Sequence, residues 1–438
     1  ELIHLMLQES RGLEDLFELS ASIHDFYVSS VAIYGELYNQ TGDHSLLTAI
    51  FHFIQSSKGI ITRLANKDRF AIKSSSIPDS LKEQESKILS DINDVFTTYK
   101  YRSDSLNLLI GPLREEHRKL IKLIEEQYPL YFMLKYDNNF IDIELAQRKL
   151  DGETIVLDFL VGEDVLHCIE FNRDRVNYRL VEISKDSLRT LTSDFSDLLL
   201  KYNKHEPSYW DNYRALSSTL AKTMFGTSDI RANRFYILID GPLEKIPFGL
   251  LMGVENRFLL ETTTMSYGYS SDQLFNHANY LRSNSWDKEY LGFAPSYVNW
   301  LEPDSLNFDV FRSIETKLEW NDNEVEQIGM VLKGQVFIDS SATETNFKNT
   351  ITNSRIVHVA GHAFFDSDNP LYSKLVFSKR DSLNDGYLFA NELYDMDLNI
   401  GMVVLSACNT GKAELIKGEG GVGLANAFMY AGVPSVVM

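Results

Sequence analysis

Two positions in the C-terminal part of the chain hold the residue types that nucleophilic catalysis needs. His362 follows the apolar run Ile356-Val-His-Val-Ala360, and Cys408 follows the apolar run Met402-Val-Val-Leu-Ser406. Each run reads as a short buried strand. In open parallel sheets, reactive groups gather in the crevice beyond the carboxyl ends of the strands. If the two strands are neighbours, both side chains reach one crevice, and the 46 residues from His362 to Cys408 leave room for a crossover between parallel strands. Cysteine attacks as thiolate, and an ordinary thiol pKa of about 8.5 leaves little of that form at neutral pH. A neighbouring imidazole takes the proton or, as imidazolium, holds the thiolate, and later protonates a leaving amine. Asn409-Thr-Gly411 and the glycines Gly418, Gly420, Gly421 and Gly423 come directly after. Such a side-chain-poor turn can present backbone N–H groups to a developing oxyanion, and those of Cys408 and Ala363 are the expected donors.

Other residues invite chemistry less strongly. Cys168 sits inside the strand-like run Val165-Leu-His-Cys-Ile-Glu-Phe171 and reads as a small buried hydrophobe. His358, within its strand, reads as a supporting core residue. His358 and His362 are four apart on a strand-to-loop segment rather than a helix, and no other histidine has a partner at ligand spacing, so neither metal nor cofactor is expected. Gly418-Glu-Gly-Gly-Val-Gly423 has the form G-x-G-x-x-G, yet it begins 12 residues after Ser406. A dinucleotide motif opens the turn directly after a strand. Asp385 and Glu419 are carboxylates that could line a pocket for a basic substrate residue, with turn stabilisation as the competing role.

The remaining chain has to position these groups. Its 438 residues predict two or three domains, and 44% apolar with 24% charged residues is a globular composition. A formal charge of −20 argues against a broad phosphate-binding surface, so direct nucleic-acid binding is not expected. No run is long and apolar enough for a membrane segment, and no signal peptide opens the sequence. Two cysteines make no disulfide framework, which points to a reducing cytoplasm. Glu1 lies inside a helical pattern and Met438 ends the strand-like run Pro434-Ser-Val-Val-Met438, so the natural chain is expected to continue at both ends.

Residues 1–75 carry helical periodicity, with Gly42 and Asp43 turning one helix into the next. This unit is similar to a tetratricopeptide (TPR) repeat, and one repeat cannot bury its own face. Further repeats must precede it, or it packs on elements C-terminal to it. Residues 76–150 predict a helical hairpin broken at Gly111-Pro112. Two α/β series complete the chain, over 151–285 and 286–438.

Three stretches together carry a resemblance: Arg355-Ile-Val-His-Val-Ala-Gly-His-Ala-Phe-Phe365, Val404-Leu-Ser-Ala-Cys-Asn-Thr-Gly411 and Gly418-Glu-Gly420. Ile239-Asp-Gly-Pro-Leu-Glu-Lys-Ile-Pro-Phe248, Gly423-Leu-Ala-Asn-Ala-Phe428 and Tyr430-Ala-Gly432 support it. They resemble the CHAT domain family, caspase-like and separase-like cysteine peptidases often found behind TPR repeats. The resemblance implies a caspase-like α/β sheet with helices on both faces. It implies a pseudo-protease half before the active half, His362 and Cys408 as catalytic residues, and a protein substrate. It also implies a regulatory protein or complex engaging the TPR-like region, and a role in bacterial stress or immune signalling. Where the family commonly has glycine after the histidine, this chain has Ala363, which restricts φ and narrows the loop. The acidic residue of a basic-P1 pocket would fall beyond Met438. The alternative is a catalytically silent caspase-like scaffold.

Overall fold

The computed structural model describes residues 13–99, 103–136, 140–201, 207–226, 232–253, 256–271, 273–275, 286–297, 318–366, 369–379, 384–407 and 414–438. They fall into two compact units, the first drawn from Glu1–Ile61, Ser74–Asn276 and Leu415–Gly420, the second from Thr62–Lys73, His277–Glu414 and Gly421–Met438.

The first unit opens with helices α1 (Leu13–Thr41) and α2 (Ser45–Ser56), followed by α3 (Ile60–Ser74), most of which belongs to the second unit. Between α1 and α2, Gly42 takes φ +66° and the Asp43 carboxylate accepts the Ser45 N–H at 2.9 Å, the tight turn expected from sequence. Helices α4 (Asp79–Tyr99), α5 (Ser103–Gln127), α6 (Pro129–Tyr136) and α7 (Ile143–Lys149) come next. Here one expectation fails: α5 begins at Ser103 and runs through Gly111 and Pro112 without a break. Proline removes one amide donor, but Pro112 lies on the exposed face, where water can take the carbonyl left unpaired.

Strands β1 (Thr154–Val161), β2 (Val165–Phe171) and β3 (Val176–Glu182), helices α8 (Lys185–Leu200) and α9 (Pro207–Phe225), and strands β4 (Arg234–Leu238) and β5 (Thr264–Gly268) complete this unit. The sheet order is β3-β2-β1-β4-β5, with β1, β4 and β5 parallel and β2 and β3 antiparallel. Alternation along β1 sends Val156 and Leu160 to one face and Leu157 and Phe159 to the other. The first face is covered by Leu47, Ile50, Phe51 and Ile54 of α2, the second by Leu188 and Phe195 of α8 and Leu220 and Met224 of α9. The α1–α2 pair therefore buries its apolar stripe on the sheet. Asp158 shares the α2 face and is fully buried. It pairs with Lys58 and accepts Gln55 Nε2 at 2.6 Å and Ser271 Oγ at 3.2 Å, while Lys58 also donates to the Phe159 carbonyl at 2.9 Å.

The second unit runs β6 (Lys288–Pro295), α10 (Asn321–Leu332), β7 (Gln335–Asp339), α11 (Glu344–Thr350), β8 (Asn353–Phe364), β9 (Lys374–Val376), β10 (Tyr387–Phe389), α12 (Ala390–Tyr394), β11 (Asn399–Ala407), β12 (Glu414–Ile416), β13 (Gly420–Val422), α13 (Leu424–Tyr430) and β14 (Val436–Val437). Strands β7-β6-β8-β11-β14 form a parallel sheet in that order, and β8 continues into antiparallel pairing with β9 and β10. The order reverses between β6 and β8, so the crevice of this doubly wound sheet opens beyond the ends of its central strands. Among the described residues, no helix is long and apolar enough to cross a membrane.

Removing one member of the buried Lys58–Asp158 pair strands the other charge. Lys58→Met should lower the stability of this unit by about 3–5 kcal/mol. Urea unfolding of the whole chain measures this, and adding Asp158→Leu should restore most of the loss.

Candidate functional site

Strands β8 and β11 are hydrogen-bonded neighbours in parallel register. Val404 stands opposite His358, Ser406 opposite Ala360, and Ala407 opposite Gly361. The next residues in sequence are His362 after Gly361 and Cys408 after Ala407. Cys408 and Asn409–Lys412 lie outside the described residues; His362 is described.

The structure revises the setting of His362. Sequence places it just past a strand end, but β8 extends to Phe364, because β9 adds an antiparallel partner with His362 opposite Val376 and Ala363 opposite Leu375. His362 is 8% exposed and Ala363 3%. The imidazole packs on the Tyr297 ring, centroids 4.6 Å apart and planes inclined at 46°. The His362 backbone N–H donates to Tyr297 Oη at 2.7 Å, and Tyr297 donates in turn to the Val376 carbonyl at 3.3 Å. Burial pushes the Tyr297 phenol well above its ordinary pKa, so it stays neutral and serves as donor and acceptor. Gly361 admits this ring: a Cβ there would lie 2.8 Å from the Tyr297 hydroxyl. Asn321, opening α10, donates to the carbonyls of Pro295 at 3.1 Å and Ala360 at 3.2 Å, tying the end of β6 to β8 two residues before His362.

Below this level lies a second polar group. His358 is 1% exposed; its Nδ1 meets Tyr290 Oη at 2.9 Å. Its Nε2 lies 3.1 Å from Glu324 Oε1, close but not aligned for a hydrogen bond. Burial lowers the His358 pKa against the pull of Glu324, so the ring is neutral at neutral pH. Ser406 Oγ donates to Glu324 Oε2 at 3.3 Å, so one carboxylate on α10 touches both β8 and β11.

The two candidate substrate acids sit apart in kind. Asp385 is exposed, and its carboxylate accepts the Tyr387 N–H at 2.9 Å, which stabilises the turn into β10. Glu419 is 1% exposed in the first unit, where it accepts from Ser20 Oγ and from the Ile61 N–H. Cys168 is fully buried in β2, and burial drives its thiol up to about 12.

Sequence reasoning missed Tyr297, Asn321 and Glu324. The signal for Tyr297 was present, since Pro295-Ser-Tyr297 follows a buried strand much as His362 does. Asn321 and Glu324 open a helix and there look like ordinary terminal polar residues.

A family model for the CHAT domain matches residues 212–438, more than half of the chain. No curated protein matches the chain.

Two measurements check this geometry. Tyr297→Phe leaves a buried N–H and a buried carbonyl without their partner and should cost about 1–3 kcal/mol in denaturant unfolding. Cys168 should resist iodoacetamide at pH 8 in the folded chain and label only after denaturation, as peptide mapping will read.

Proposed function

Because the chain belongs to the CHAT domain family, we propose that it is a cysteine endopeptidase using a Cys408–His362 dyad. The supporting observation is the register of β8 and β11: the residue before His362 stands opposite the residue before Cys408, on adjacent parallel strands. Paired residues of neighbouring strands share a face of the sheet, which supports the reading that the two side chains meet in one crevice.

In this mechanism His362 takes the Cys408 proton, and the thiolate sulfur attacks the scissile carbonyl carbon. The carbonyl π electrons move to oxygen, where the N–H groups of Cys408 and Ala363 are the proposed donors. Collapse of the adduct breaks the C–N bond, and the amine leaves with the proton from His362. Water, deprotonated by His362, then hydrolyses the thioester and returns the thiol.

The β3-β2-β1-β4-β5 sheet serves as a pseudo-protease layer. Where β4 ends, the chain continues Asp240-Gly-Pro242, with neither cysteine nor histidine. The TPR-like α1–α2 pair recruits a protein substrate or regulator in the cytoplasm, and family resemblance favours a role in bacterial stress or immune signalling. Asp385 serves the turn before β10 rather than substrate.

One observation favours a second reading, a scaffold silent until a partner arrives: His362 is only 8% exposed and lies under Tyr297. Thiol reactivity separates the two. In an active dyad, Cys408 alkylates with iodoacetamide well below pH 8, His362→Ala slows that labelling by about tenfold or more, and Cys408→Ala abolishes cleavage of partner proteins. Labelling that is the same in wild type and His362→Ala, with no partner cleaved, leaves the scaffold.

A further inference from the structure

The glycine-rich stretch after Cys408 holds a buried acid that neither the proposed chemistry nor a nucleotide motif accounts for. Glu419 Oε1 accepts Ser20 Oγ of α1 at 2.6 Å and the Ile61 N–H, in the first turn of α3, at 3.0 Å. Its neighbours are held as closely. The Gly418 carbonyl accepts the Gly59 N–H at 2.7 Å, and Lys417 Nζ lies 2.7 Å from Asp25 Oδ1 of α1. Both flanking glycines are required. Gly418 takes φ +84° and a Cβ there would meet Ser20 Oγ at 2.8 Å; Gly420 takes φ +75° and its Cβ would overlap Tyr269 Cε1 at 2.1 Å. Residues 415–420 thus belong to the first unit, while the chain on either side of them is assigned to the second.

Core filling is a poor explanation for Glu419. Taking a carboxylate out of water is costly, and an apolar residue of similar size fills space better. What the acid adds is direction: it recognises one hydroxyl on α1 and one amide at the start of α3, and it fixes the register of four consecutive residues against them.

We propose that Lys417–Gly420 is a clasp, with Glu419 its positioning residue, through which the N-terminal helices hold the segment that continues the chain from Cys408. The inference rests on the reading of Cys408 as nucleophile, which lies 11 residues before Glu419. It gives the α1–α2 pair a task besides recruitment: a protein bound to α1 that displaces Ser20 or Asp25 loosens the clasp and alters the reactivity of Cys408.

The experiment compares the full chain with Glu419→Gln, Glu419→Ala, Ser20→Ala and His362→Ala, by amide hydrogen exchange and by iodoacetamide labelling of Cys408 across pH. The clasp predicts exchange about tenfold faster over residues 414–422 in the Glu419 and Ser20 variants. It also predicts a displaced pH profile of Cys408 labelling in the same variants. Ser20→Ala keeps the carboxylate and removes a single donor, so it decides the matter should Glu419→Ala fail to fold. Unchanged exchange overturns the clasp. Faster exchange with a wild-type labelling profile overturns its link to Cys408. Labelling unaffected by His362→Ala sinks the dyad instead, and the exchange result still judges the clasp.

Discussion

The parallel pairing of β8 with β11 is the constraint on which the rest depends. Side chains alternate along a strand with a period of two, so sliding one strand by a single residue would turn its partner positions to the opposite face. The described pairing runs from Asn399 opposite Asn353 to Ala407 opposite Gly361. The apolar residues within it, Val357, Val359, Val403 and Leu405, are essentially without exposure and hold that pairing through burial.

Polar groups reinforce the same alignment. Asn321 bridges the Pro295 carbonyl at the end of β6 and the Ala360 carbonyl within β8, and Glu324 touches His358 on one strand and Ser406 on the next. Both come from the first turn of α10, so docking one helix sets two levels of the crevice. A buried polar group is costly unless partnered, and buried His358 meets Tyr290 of β6 and Glu324 of α10. In the first unit, Lys58, Gln55 and Ser271 converge on Asp158 in the same manner and seat α2 on the sheet.

Much of this architecture was legible in the sequence. The strand-like runs from Thr154 to Phe171, and the one ending near Ser406, lie close to their expected bounds, because continuous apolar character between turn residues is a strong signal. The CHAT motifs identified the family. The short strands β9 and β10 were not seen, since three residues carry no periodicity, and their absence from the sequence reading is why β8 was ended too early. Pro112 misled for a different reason: its local preference is clear, but whether a helix tolerates it depends on which face meets solvent. The partners of Glu419 were illegible in principle, because Ser20 lies 399 residues away and no local pattern marks it.

The extension of β8 has one more consequence. An imidazole carried on a loop can swing, whereas His362 is carried on a paired strand, with its amide held by Tyr297 and its ring pressed on the same phenol. Its conformational entropy has been surrendered during folding rather than on meeting a partner, which is the thermodynamic meaning of preorganisation. Whatever meets this ring must adjust to it, so the ring is the stationary reference of its surroundings.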